Sequence, residues 1–143
     1  MSRGDPHDLH RFLTAQEGVH HRALAELNSG RKQGHWMWFV FPQARGLGHS
    51  PTAQRYAISS LDEAGAYVAH PVLGQRLLAV TRAATEAPAA SLHALFGAPD
   101  DLKFVSSMTL FALAAEKPAP FQAALDRWNG GRRDARTLAL MQG

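Results

Sequence analysis

Six apolar residues in a row, Trp36-Met37-Trp38-Phe39-Val40-Phe41, limit what this chain can fold into more than any other feature. Two of the three tryptophans and two of the seven phenylalanines lie there. Side chains alternate across a strand, so as a strand this run would be apolar on both faces and would need burial on both. No second convincing strand exists to pair with it, and buried backbone groups left unpaired are costly. The pattern instead predicts a short helical turn or extended segment through the centre of a helical domain, ended by Pro42. An aromatic block of this kind either centres a core or lines a pocket. Lys32 and His35 just before it, with Gln43 and Arg45 just after, keep both readings open.

Capping signals divide the rest of the chain into short helices. Asp5-Pro6 reads as an N-cap with proline at the first helical position, and Asp8 follows in the first turn. Leu9, Phe12, Leu13 and Gln16 fall at helical spacing, and Val19, Ala23, Leu24 and Leu27 resume it after Gly18. One helix or a broken pair is expected over residues 6–29, stopped by Gly30. Ser50-Pro51 opens a short helix after the loop Gly46-Leu47-Gly48-His49. Ser60-Leu61-Asp62-Glu63 is a capping box in which Glu63 can reach back to the Ser60 amide. Pro71 starts a longer helix that ends before Pro88, and Ser91 caps a short one closed by Gly97. Pro99-Asp100-Asp101 opens a helix with acids in its first turn, where the helix dipole favours them. Its Leu102, Val105, Met108, Thr109 and Ala112 share one face, which Phe104, Leu110 and Phe111 widen, so it is expected to be central. A helix from Phe121 to Trp128 stops at Gly130-Gly131, and Asp134 caps a last one bearing Leu138 and Met141. The fold class predicted is all-α: a compact single domain, residues 1–143 with its core over 8–140, of about six to eight short helices around a central aromatic segment.

A chain of 143 residues buries roughly two-thirds of its unfolded surface and needs no covalent or metal staple. With no cysteine, disulfide scaffolds, zinc–thiolate sites and thiol catalysis are excluded. Met1 to Asp8 is polar, so no signal peptide is expected, and no apolar stretch is long enough for a bilayer. The expectation is a soluble cytoplasmic protein with no membrane partner. Twelve of the fifteen cations are arginine, and the net charge is +3. The densest patch, Arg127, Arg132, Arg133 and Arg136, is interrupted by Asp126 and Asp134, which argues against a nucleic-acid stripe. His20 and His21 are adjacent and point about 100° apart on a helix, which does not suit a shared metal ion. No metal site and no cofactor are expected. Phosphate loops, dinucleotide fingerprints and nucleophile elbows are missing from the sequence.

Four polar groupings remain. Lys32, His35, Gln43 and Arg45 flank the aromatic block. Trp36 and Trp38 can stack on a planar ring there while Arg45 holds a phosphate, or both tryptophans are core anchors. Around Lys103, Ser106 and Ser107 lie at i+3 and i+4, with Asp100, Asp101 and Thr109 nearby. A lysine beside a serine can activate the hydroxyl or bind an anion, or the serines are small residues that let helices approach. His49, Ser50, Arg55 and Tyr56 follow the glycine loop and can receive a phosphate or merely cap. Arg132, Arg133, Asp134, Arg136 and Thr137 make an ion-paired helix start or a partner surface.

The phrases Gly30-Arg31-Lys32, His35 through Gln43 and Gly46-Leu47-Gly48 resemble an uncharacterised bacterial family, domain of unknown function 1810. So do His70 through Leu77, Asp100 through Phe104 and Ser106 through Phe111. Some members of that family carry the name calpastatin, and a mycobacterial hypothetical protein typifies its fold. The likeness runs from about Asp8 to Leu140. It implies a small, mainly α-helical single domain and brings no activity, cofactor or catalytic residue with it. The calpastatin name does not suit a chain that is 45% hydrophobic with a core-forming pattern, because those inhibitors are disordered repeats.

Two functions follow as expectations. The first is a non-catalytic interaction module that holds a protein partner through the aromatic block or the C-terminal arginines. The alternative is an enzyme or binding protein for a nucleotide-like or ADP-ribose-like ligand. In it Lys32, His35, Trp36, Trp38, Gln43, Arg45 and Ser107 bind, and His35, Asp101 or Lys103 moves a proton.

Overall fold

The computed structural model describes residues 4–142. Their helices run α1 (His10–Gln16), α2 (His20–Asn28), α3 (Met37–Val40), α4 (Pro51–Arg55) and α5 (Leu61–Ala69), then α6 (Leu73–Thr85), α7 (Leu92–Phe96), α8 (Asp100–Ala114), α9 (Ala119–Asn129) and α10 (Ala135–Gln142). The described residues contain no strand beyond one isolated parallel bridge, Ala44 to Ile58. These ten helices outnumber the six to eight expected. The pair over 6–29 is fully broken at Gly18, at φ 70°, and α3 and α4 count as helices on four and five residues.

Three helix starts follow their serine caps. The hydroxyls of Ser50, Ser60 and Ser91 accept from the amides of Ala53, Glu63 and Ala94 at 3.1, 3.1 and 3.0 Å. Glu63 departs from the expected box by one residue. Its Oε1 takes the Ser59 amide at 2.9 Å instead of that of Ser60, while Oε2 is drawn to the Arg11 guanidinium at 2.7 Å. Asp5 accepts from the amides of Leu9 and His10, yet α1 begins only at His10. Asp8 at φ 52° turns the backbone off the right-handed path in between.

The helix α8 is central, as its apolar face predicts, and packs on α5, α7, α9 and α10. Every residue from Phe104 to Ala112 is buried. The helix α6 lies against α2, α5 and α9. The aromatic segment runs into this core. Met37, Val40 and Phe41, spaced i, i+3 and i+4, turn inward together, and Trp36 and Pro42 are buried beside them. Phe96 stacks on Phe104 with centroids 4.8 Å apart. Phe41 meets both edge-on at 5.8 and 5.1 Å, and Trp36 approaches Phe41 at 6.1 Å. Each such pair contributes about 0.5–1.5 kcal/mol beyond the burial of its area.

Glu26 of α2 anchors the entry to this segment. Its Oε1 accepts from the amides of Gln33 and Gly34 at 2.7 and 2.9 Å and from the Trp36 indole N–H at 2.9 Å. Burial pushes the Glu26 pKa up, but these hydrogen bonds and the Lys32 charge together bring it below the ordinary value. No helix among the described residues is long and apolar enough to cross a membrane.

Candidate functional site

With Met37, Val40 and Phe41 committed to the core, the helical turn of α3 carries Trp38 outward. Trp38 is half-buried and forms one wall of a cleft of about 520 Å³. The first turns of α8 make the opposite wall, through Leu102, Lys103 and Ser106. The loop after the aromatic segment supplies Gln43, Leu47 and His49, and the start of α10 supplies Asp134 and Arg136. Ala53 of α4 closes the remaining side. Loop and α4 lie so close that a Cβ on Gly48 would come within 2.6 Å of the Ala53 Cβ, so only glycine fits there.

The cleft's polar groups differ in how far they are committed. Lys103 Nζ sits 5.1 Å from the centroid of the Trp38 ring and 3.6 Å from Asp100 Oδ1. Asp134 is occupied: its Oδ2 accepts from the Thr137 amide and hydroxyl at 2.9 and 2.6 Å, capping α10. Ser106 donates back to the Leu102 carbonyl at 3.1 Å. Arg136 is exposed, and the Gln43 side-chain amide has no hydrogen bond among the described residues. Leu102 is 69% exposed on the cleft wall, although its spacing had placed it on the buried face of α8. It lies in the first turn, beyond the reach of the helices packed on the middle of α8.

Of the residues expected to bind a ligand or move a proton, Trp38, Gln43 and Lys103 meet in this cleft, joined there by His49, Ser50, Ser106, Asp134 and Arg136 from the other polar groupings. The remaining binding and proton-transfer candidates do not line it. Trp36 is 2% exposed and belongs to the aromatic core. Lys32 lies behind the wall, its ammonium 2.9 Å from Asp100 Oδ2, 5.0 Å from the Trp36 ring centroid and donating to the Gly34 carbonyl. Asp100 thus joins Lys32 to Lys103. His35 is exposed on another side, where it lines a hollow of about 150 Å³ with Arg22 and Glu26. Asp101 pairs with His93 at 3.4 Å and accepts the Leu102 amide. Ser107 is fully buried in the middle of α8, and its hydroxyl has no hydrogen-bond partner among the described residues. Arg45 turns away and donates to the Ser59 hydroxyl at 3.1 Å.

The family model described as protein of unknown function (DUF1810) matches residues 6–141. The chain belongs to this family. The crystal structure of the conserved hypothetical protein Rv1873 from Mycobacterium tuberculosis is similar to the DUF1810 chain at 52% identity and a TM-score of 0.95, covering 97% of this chain and 99% of its own. No curated protein matches it.

The C-terminal arginines of this DUF1810 domain do not form one patch. Arg127 stacks on Trp128 at 3.8 Å and donates to the carbonyls of Thr85 and Ala89. Arg136 faces the cleft, which leaves Arg132 and Arg133 exposed together. His20 and His21 stay apart from the cleft. Burial, with the charges of Arg76 and His21, lowers the pKa of His20. Reading the residues in order missed Leu47 and Leu102 as cleft walls and kept Asp134 and Arg136 in a separate group. Their approach to Trp38 depends on how α10 packs on α8, which no local spacing encodes.

Proposed function

We propose that this DUF1810 domain binds a small aromatic anion of nucleotide size in the cleft between α3, α8 and α10. One observation carries the reading: a half-buried tryptophan with a lysine ammonium over its ring, on the wall of a cleft of about 520 Å³. Ligand pockets of roughly 300–1,000 Å³ combine apolar walls with a few converging polar groups, and this cleft has both. Trp38 and Leu102 are the apolar surfaces for a planar ring. Lys103 and Arg136 are the cations for a phosphate or carboxylate. Gln43, with its amide free to donate and accept, is suited to reading the edge of the ring. Without ligand, Lys103 shelters on the Trp38 ring as a cation–π pair. A base stacked on Trp38 would displace the ammonium towards the charged end of the same ligand.

Of the C-terminal arginines, Arg127 is tied to backbone carbonyls and Arg136 lines the cleft, so a partner surface there would rest on Arg132 and Arg133 alone, whereas the cleft joins apolar walls to cations. The test is calorimetric and fluorescence titration with AMP, ADP and ADP-ribose. Saturable binding is expected, with Trp38→Ala weakening it roughly tenfold to a hundredfold, the usual worth of one stacked base. Lys103→Met should weaken the phosphorylated ligands more than it weakens adenine itself, which carries no charge for the ammonium to hold. Flat titrations across the panel, or equal binding by the Trp38→Ala variant, would overturn the reading.

A further inference from the structure

A second recess, of about 570 Å³, opens on the other side of α4 and is built from donors. Three arginines line it: Arg11, Arg45 and Arg55. Arg11 is spent on the fold. Its five N–H positions reach the carbonyls of His7, Asp8, Arg55 and Ala57 and the carboxylate of Glu63. Glu63 in turn gives its other oxygen to the Ser59 amide, so its charge is cancelled and both its oxygens are used. Arg45 and Arg55 are different. Neither has an ion pair among the described residues. Each makes its one side-chain hydrogen bond among the described residues at Nε, Arg45 to the Ser59 hydroxyl at 3.1 Å and Arg55 to the Tyr56 hydroxyl at 3.3 Å, with the Arg55 guanidinium also 5.6 Å from the Tyr56 ring centroid.

The hydroxyls point to the same conclusion. Ser59 Oγ accepts from Arg45 and Ser60 Oγ accepts from the Glu63 amide, so both hydroxyl protons are left to donate. A hydroxyl has one proton and two acceptor lone pairs, so accepting leaves its donor free. The recess therefore offers two guanidinium forks and two hydroxyl protons, against one exposed carboxylate, Asp8. Guanidinium forks pre-oriented at Nε match the planar edges of an oxyanion.

We propose that this recess binds a phosphoryl group, with Arg45 and Arg55 as the charged clamp and Ser59 and Ser60 as neutral donors. The proposal does not depend on the cleft at Trp38. Arg45, which sequence order places beside the aromatic block, serves a separate anion site on the far side of α4.

Inorganic phosphate and pyrophosphate are the probes, titrated by calorimetry and by 31P line broadening at constant ionic strength against a chloride control. Wild-type protein should bind pyrophosphate saturably. Arg45→Gln and Arg55→Gln should each weaken it at least tenfold, the scale of one lost hydrogen bond to a charged group. Both arginines are exposed, so these variants should keep the wild-type circular dichroism and melting temperature. Trp38→Ala should leave pyrophosphate binding unchanged. Phosphate and pyrophosphate binding no tighter than chloride, or full binding by the Arg45→Gln, Arg55→Gln double variant, would overturn the proposal. Loss on Trp38→Ala but not on the arginine changes would do the same.

Discussion

Replacing Glu26 with alanine removes one acceptor from three donors at once. The Trp36 indole N–H is the costliest of these, because the side chain is 2% exposed and no other acceptor is given to it. A buried donor left unsatisfied costs about 1–3 kcal/mol. The Gln33 and Gly34 amides are partly reachable by water, so each adds about 0.5–1 kcal/mol. Glu26→Ala should therefore cost about 3 kcal/mol, or a fall of about 10 °C in melting temperature for a domain of this size. Glu26→Gln keeps an oxygen in place but loses the charge, which roughly halves the strength of each bond, so it should cost about half as much. Acid separates the two effects. The Glu26 pKa is depressed below its ordinary 4.5, so its contribution is fully present above that value and is lost as pH falls through the lower folded value. The stability gap between wild type and Glu26→Gln should then shrink as pH drops below 4.5. Urea unfolding followed by tryptophan fluorescence and circular dichroism across pH reads all of this. A loss under 1 kcal/mol for Glu26→Ala, or a gap that does not change with pH, would refute the reasoning.

Three further outcomes follow from the packing. Ser107→Ala should raise stability by about 1 kcal/mol, because it removes a buried hydroxyl with no partner, and nucleotide titrations should be unaffected; a thermal melt decides it. Arg11→Lys should lose about 2–3 kcal/mol in urea unfolding despite keeping its charge, since an ammonium cannot reproduce the planar fork that reaches five acceptors. Gly74→Ala should destabilise by about 3 kcal/mol or more, seen as poor soluble yield or a much lower midpoint. Its Cβ would sit 2.0 Å from the Val68 carbonyl oxygen, which is backbone and cannot move aside.

The fold was readable where its cause is local. Ser50, Ser60 and Ser91 each cap the helix that follows them, and the run from Phe104 to Phe111 is apolar on so many sides that α8 could only be central. The aromatic segment was legible as interior because the sequence offers no second strand pattern to pair with it. The site was legible in part. Trp38 faces outward because its neighbours at 37, 40 and 41 face inward, a distinction that depends on α3 being helical. Lys32 looked like a rim residue and is instead 8% exposed against Asp100, a residue 68 positions later. Ser107 looked like a partner of Lys103 on one helix face, but α8 is enclosed from Phe104 onward, and beyond its first turn Ser106 reaches the cleft while Ser107 does not. Arg45 lies two residues from Gln43, yet the two side chains line different recesses. These outcomes were set by contacts between distant segments, about which residue spacing is silent.

The five residues of α4 serve as a partition: Ala53 faces the cleft that holds Trp38, while Gln54 and Arg55 face the recess that holds Arg45. A thin dividing wall cannot be shifted to enlarge one chamber without shrinking its neighbour. Relatives that differ in the length or bulk of this helix should therefore differ in both chambers together and in opposite senses. Diversity in what the two chambers accept would then be inherited as a linked pair.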